Sequence, residues 1–174
     1  MATINFRAHG PYEVHRKGSR NGRIIDVAAA RILWESTATL QRLALAKGCY
    51  VFATRHQGGG VVPWYVGQTA VGFAKECFNP ANHLRINDAL FAESGQLVLL
   101  LVEYLTTRGA INRTAITELE NRLIGLAYKR NPRLINIHGT RVQPPRVLAI
   151  IGAMNSTARP SRSAVTLKKA LGMP

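Results

Sequence analysis

The stretch that most restricts this fold is QLVLLLVEYL, residues 96–105. Apolar residues run through it almost without a break. It is half the length of a membrane-spanning helix, which needs about 20 such residues. It also lacks the apolar–polar alternation of a strand with one wet face. It therefore reads as a β-strand buried on both sides. Such a strand needs sheet neighbours and a cover over each face.

The rest of the chain supplies the candidates. CYVFAT (49–54) and VVPWYVGQT (61–69) are rich in β-branched and aromatic residues, and RHQGGG joins them as a hairpin turn. Pro63 cannot donate to a ladder, so its strand belongs at a sheet edge. Asp26 is placed to cap a helix through VAAARILWESTATLQRLALAKG, with Lys47-Gly48 as the stop. Residues 71–93 read as helix with a break at Pro80. NRTAITELENRLIGLAYKRNP (112–132) is a helix ending at Pro132, and RLINI (133–137) reads as a short strand. Residues 1–25 look irregular, broken by Gly10, Pro11, Gly18 and Gly22. Residues 140–174 read as a basic extension in which TLKKAL forms a turn or two of helix. This order predicts an α+β fold, a small antiparallel sheet flanked by helices.

Charge narrows the partners. The chain has 23 Lys and Arg against 9 Asp and Glu, a formal net charge of +14. A polyanion is the expected partner, nucleic acid before an anionic membrane surface. Basic residues gather in 7–23, in KRNPR (129–133) and in RPSRSAVTLKK (159–169). Lys129, Arg130, Arg133, Arg159, Arg162, Lys168 and Lys169 are the candidate phosphate contacts. The N-terminus, MATINFRAHG, lacks the apolar core of a secretory signal, so a cytoplasmic location is expected. Cys49 and Cys77 lack zinc-ligand spacing and read as reduced core residues. GGG at 58–60 has no accompanying lysine and is a turn, not a phosphate loop. Nine acids, scattered over unrelated segments, do not suit a nuclease built on three or four clustered carboxylates.

Two features ask for chemistry. Tyr50 lies directly opposite Tyr65 if the turn centres between Gln57 and Gly58. A register shift of two keeps both rings on one face, and a shift of one separates them. Aromatic cross-strand pairs are common and stabilising, so spacing alone favours a structural pair over a functional phenol pair. In the helix over 112–132, Ile116, Leu119, Leu123, Ile124 and Ala127 form the apolar stripe, and Glu120 falls inside it. A carboxylate there needs a cation or several donors. An arginine salt bridge would supply one; a hydrated Mg²⁺ or Mn²⁺ would supply the other.

These residues resemble the GIY-YIG nuclease superfamily. Gly48-Cys49-Tyr50 stands for its first motif and Tyr65-Val66-Gly67 for its second. Glu120-Asn121-Arg122-Leu123-Ile124 resembles the stretch with the family's metal-binding glutamate, and Asn136 matches a downstream asparagine. The similarity covers about 48–137, roughly half of the chain. The departures are Cys49 in place of isoleucine and Lys75, eight residues after Gly67, in place of the catalytic arginine. Lysine lacks the planar two-pronged grip of arginine, and Arg85 is the other candidate for that role.

The resemblance implies a β-β-α-β-α core and hydrolysis of DNA phosphodiesters, with RNA not excluded. Tyr50 would be the general base or would orient the attacking water. Tyr65 would position water or phosphate, and Glu120 would hold a single Mg²⁺ or Mn²⁺. Asn136 would brace the site, and His83 is a further candidate phosphate ligand or proton carrier. The implied organisation is a basic extension and helix over 1–47, a nuclease domain over 48–137 and a basic extension over 138–174. A homodimer is one arrangement suited to cutting both strands. A nucleic-acid-binding protein that keeps the fold without cutting, and a basic structural subunit of a nucleoprotein, are the competing readings.

Overall fold

The computed structural model describes residues 4–19, 22–105, 110–137 and 148–174. In chain order these form β1 (Ile4–Glu13), β2 (Arg16–Ser19), β3 (Gly22–Ile25), α1 (Val27–Leu33), α2 (Ala38–Ala44), β4 (Gly48–Arg55), β5 (Val61–Thr69), α3 (Phe73–Glu76), α4 (Pro80–Leu90), β6 (Gln96–Leu105), α5 (Arg113–Arg130), β7 (Leu148–Ile150) and α6 (Arg162–Leu171). The fold is α+β. Five strands make one sheet in the order β5-β4-β6-β1-β7, and β2 and β3 form a separate two-stranded ribbon.

The apolar run is the centre of the sheet. β6 pairs with β4 on one side and β1 on the other, both antiparallel. Leu97 through Val102 are wholly buried, as a strand without polar alternation requires. Each buried leucine or valine contributes about 1.5–3 kcal/mol. Strand alternation then divides the core in two. Cys49, Val51, Val66, Leu100 and Val102 pack beneath α5 and α6. Tyr50, Phe52, Tyr65, Leu99 and Leu101 face the other way, toward Leu40 and Leu43 of α2, Phe73 of α3, and Ile86 and Leu90 of α4. Cys49 and Cys77 are buried free thiols.

Several helices and strands differ from expectation. The stretch read as irregular supplies β1: Phe6 and Ala8 point into the core while Arg7 stays exposed. Gly10 and Pro11 are absorbed where the β1–β6 register shifts between His9 and Tyr12. The sheet is mixed, because β7 pairs parallel with β1. β7 and α6 come from the stretch expected to be an extension, and both enter the core through Leu148, Ile150, Ala164, Leu167 and Leu171. Residues 138–147 of that stretch lie outside the described residues.

Asp26 caps a helix as expected, accepting from the Ala28 and Ala29 amides, but the helix ends after about two turns. Thr37 adopts an extended conformation and caps α2 through Leu40 N–H, which splits the single expected helix in two. Residues 133–137 are not a strand. They run along the exposed edge of β5, where Ile135 N–H donates to the Trp64 carbonyl. Asn131 donates to the Pro63 carbonyl from the same stretch. An edge containing Pro63 is thereby closed by loop and side-chain amides rather than by another strand. Among the described residues no helix is long and apolar enough to cross a membrane.

Candidate functional site

The β4–β5 hairpin sets the geometry. Tyr50 pairs across the ladder with Gly67, and Phe52 with Tyr65, before the register slips between Phe52 and Ala53. The direct Tyr50–Tyr65 pairing is therefore replaced by a register shifted by two. Parity is kept, and both rings lie on the α4 side with centroids 6.1 Å apart. Gly67 makes room for this. A Cβ there would sit 2.5 Å from the Tyr50 hydroxyl oxygen. Gly48 is fixed differently, by φ of +144° and by close approach to the Val102 carbonyl of β6.

α4 carries the residue that joins the phenols. Asn79 caps the helix through Asn82 N–H, and Pro80 occupies the first turn. Asn82 is 3% exposed. Its Nδ2 donates to the Tyr50 hydroxyl at 2.7 Å and to the Glu76 carbonyl at 2.9 Å. Its Oδ1 accepts from the Tyr65 hydroxyl at 3.0 Å. Burial holds the Tyr50 phenol far above its ordinary range, so it is neutral at any working pH. Burial also raises Tyr65, opposed by the neighbouring Tyr50 hydroxyl and by the positive charge of Arg85. Arg85 sits one turn along α4 from Asn82 with its side chain exposed.

Glu120 approaches from α5. It is only partly accessible, and among the described residues it has no hydrogen-bond or ion-pair partner. Desolvation pushes its carboxyl up to about 7. Its charge is felt by Cys49 and by Tyr65. The arginine salt bridge that the sequence left open is thus not formed among the described residues. Among the described residues no group of three or more His, Cys, Asp or Glu side chains gathers to hold a metal. A lone, unpartnered, half-sheltered carboxylate fits a hard cation that keeps most of its water; it does not fit zinc.

The other sequence candidates separate. Asn136 is close: its Oδ1 accepts from Val66 N–H at 3.1 Å and its Nδ2 donates to the Val66 carbonyl, mimicking a ladder partner beside Tyr65. Lys75 is exposed on α3, and among the described residues no bond ties it to either phenol. His83 turns away, its Nε2 lying 3.3 Å from the Ile25 carbonyl of β3 and its ring beside Asn87. Lys129 and Arg130 are exposed at the end of α5. Arg133 pairs with Glu93 at 2.7 Å and stacks 5.1 Å above Trp64. Arg159, Arg162 and Lys169 are exposed on or before α6, and Lys168 is half-buried.

Asn82 is the member that the sequence reading missed. It falls in register with Ile86 and Leu90 on the buried stripe of α4. The wheel argument that isolated Glu120 would have isolated it too. A second buried polar cluster also went unnoticed. Glu103 of β6 is gripped by both terminal nitrogens of Arg42, the longer contact 3.1 Å, and by His9 Nε2 at 2.8 Å. The chain matches no family model, no curated protein and no solved structure.

Proposed function

We propose that the protein is a metal-dependent endonuclease of the GIY-YIG type that hydrolyses DNA phosphodiesters. The observation that carries this reading is the convergence of two phenols on one buried amide, with an unpartnered carboxylate acting electrostatically on the nearer phenol. Structural aromatic pairs need no such carboxylate. A buried acid left without a partner costs stability, and a function that uses it explains its presence.

In this reading Glu120 would hold a hydrated Mg²⁺ or Mn²⁺, which when bound supplies charge stabilisation at the scissile phosphate. Tyr50 stays neutral, so its work is orientation and not proton abstraction. Tyr65 presents its oxygen toward the attacking water or a phosphate oxygen. Water adds to phosphorus, the bond to the leaving oxygen breaks, and a proton given up by the water to solvent is matched by one that the departing oxygen takes from solvent. Arg85, whose charge acts on the Tyr65 hydroxyl, takes the arginine role in preference to Lys75. Its fork can meet two phosphate oxygens where lysine meets one. Asn136 holds the Tyr65–Gly67 segment at the sheet edge. Lys129, Arg130, Arg159, Arg162 and Lys169 add contacts to the phosphate backbone, giving affinity that falls steeply with salt.

A second reading, a nucleic-acid-binding protein that no longer cuts, is favoured by one feature: Tyr50 is only 1% exposed. Incubation with plasmid, single-stranded and branched DNA, each with Mg²⁺, Mn²⁺ or EDTA, separates the two. Metal-dependent cutting that disappears in Glu120→Gln supports the nuclease. Retarded DNA left intact under every metal condition supports the binder.

A further inference from the structure

We infer that Asn82 is a positioning residue that sets the proton direction of the two phenols, so that Tyr65 meets its ligand as a hydrogen-bond acceptor. The inference rests on the endonuclease reading and names a residue outside the motifs that suggested it. It begins with Glu76. A backbone carbonyl can only accept, so the Asn82 atom facing it at 2.9 Å must be the amide nitrogen. The same nitrogen reaches the Tyr50 hydroxyl at 2.7 Å. The opposite atom is then the amide oxygen, which can only accept, and the Tyr65 hydroxyl at 3.0 Å must donate to it.

Each consequence follows from counting protons. Tyr50 accepts from Asn82. Tyr65 has spent its proton inward. What it has left to offer a ligand is a lone pair. A water donating to that lone pair is held with its own oxygen free to attack. Without the Asn82 carbonyl, the Tyr65 proton would turn outward and present a donor to the same water, reversing the water's orientation. Asn82 never needs to touch substrate for this; at 3% exposure it cannot.

The test uses single-turnover cleavage of duplex DNA at saturating Mg²⁺, with affinity measured separately in Ca²⁺ and folding followed by circular dichroism. Asn82→Leu should lower the cleavage rate about 100-fold, as small misplacements of reacting groups do, with affinity unchanged within about twofold. Asn82→Asp is near-isosteric and covers the case in which leucine unfolds the protein. Protonated, an aspartic acid can still donate to one partner and accept from Tyr65. Ionised, it still accepts from the Tyr65 hydroxyl. Its cleavage rate should therefore stay close to that of the unsubstituted protein across pH, while the folded fraction and affinity stay level. A purely structural role would move the rate only in step with the folded fraction. Cleavage at the unsubstituted rate by folded Asn82→Leu, or loss of cleavage in folded Asn82→Asp with affinity kept, overturns the inference and leaves the nuclease reading intact. No cleavage by the unsubstituted protein overturns both.

Discussion

Two buried polar clusters share one face of the sheet and are built on opposite terms. Tyr50 pairs with Leu101, and Leu101 with His9, so a single leucine separates the phenols from the Arg42–Glu103–His9 group in that row. The ionic group is closed. Glu103 spends both oxygens on Arg42 and His9, and these bonds hold its carboxyl below the usual range despite the opposing effect of burial. The neutral group is closed only on its inner side, around Asn82. Glu120, on α5, has no partner among the described residues and a carboxyl raised to about 7. A satisfied buried charge holds a fold together; an unsatisfied one awaits a ligand. Under the proposed nuclease reading, the closed cluster serves structure and the open one chemistry.

The sharpest way to break this division is to neutralise both acids. Glu120→Gln should abolish metal-dependent cleavage, by at least about 10²-fold, and yet stabilise the protein. The sign follows from the raised carboxyl. Between its unfolded value, near 4.5, and about 7, the unfolded chain releases the proton that the folded chain keeps. Stability therefore declines as pH rises through that window, and glutamine removes the penalty. After allowance for solvent at a part-exposed group the gain at pH 8 is about 1–2 kcal/mol, read from urea unfolding. Loss of activity with loss of stability would return Glu120 to the structural class.

Glu103→Gln should do the reverse. Its depressed carboxyl stabilises the fold above the unfolded value and loses that contribution as pH falls through the folded one. Substitution should cost about 1–3 kcal/mol at pH 7, Arg42 being half-exposed. Cleavage per folded molecule should be unchanged. Gly67→Ala probes the packing of the neutral cluster. A methyl at that position intrudes on the Tyr50 ring, and overpacking of this kind costs about 1–3 kcal/mol. Because Tyr50 must move to relieve it, cleavage should fall further than stability alone explains.

What could be read from the sequence tracks how local the determining signal is. The buried strand 96–105, the hairpin, the Pro80 break and the long helix with Glu120 on its inner stripe each declare themselves within a few turns of chain. β1 did not, although Ile4, Phe6 and Ala8 alternate with Asn5, Arg7 and His9. Gly10-Pro11 reads as a breaker, and only pairing with a strand some 90 residues away turns it into a register shift. β7 is three residues long and parallel. Its strand character lies in its neighbour β1. Parity of the tyrosines was legible and their exact register was not, because the slip at Phe52/Ala53 depends on Pro63 and Trp64 at an edge closed by 131–136. The partners of Glu103 are equally long-range, since Arg42 and His9 come from a helix and a strand distant in sequence.

The smallest effect decides which cation serves the phenols, where sequence spacing and structure point to different residues. Spacing from Gly67 selects Lys75; the charge felt by Tyr65 selects Arg85. Both side chains are exposed, so neither substitution should change stability by more than about 0.5 kcal/mol. Arg85→Ala should reduce cleavage about tenfold, near the lower end for a charge-assisted contact, and Lys75→Ala by less than about twofold. Arg85→Lys should recover only part of the loss, because an ammonium cannot reproduce a two-pronged phosphate contact. The reverse ranking, with Lys75 dominant, would mean that substrate binding draws α3 and its lysine toward the hairpin. The open side of the neutral cluster would then be completed from α3 and not from α4. Equal, small losses at both would leave the cluster without a dedicated cation and would favour a protein that holds nucleic acid without cutting it.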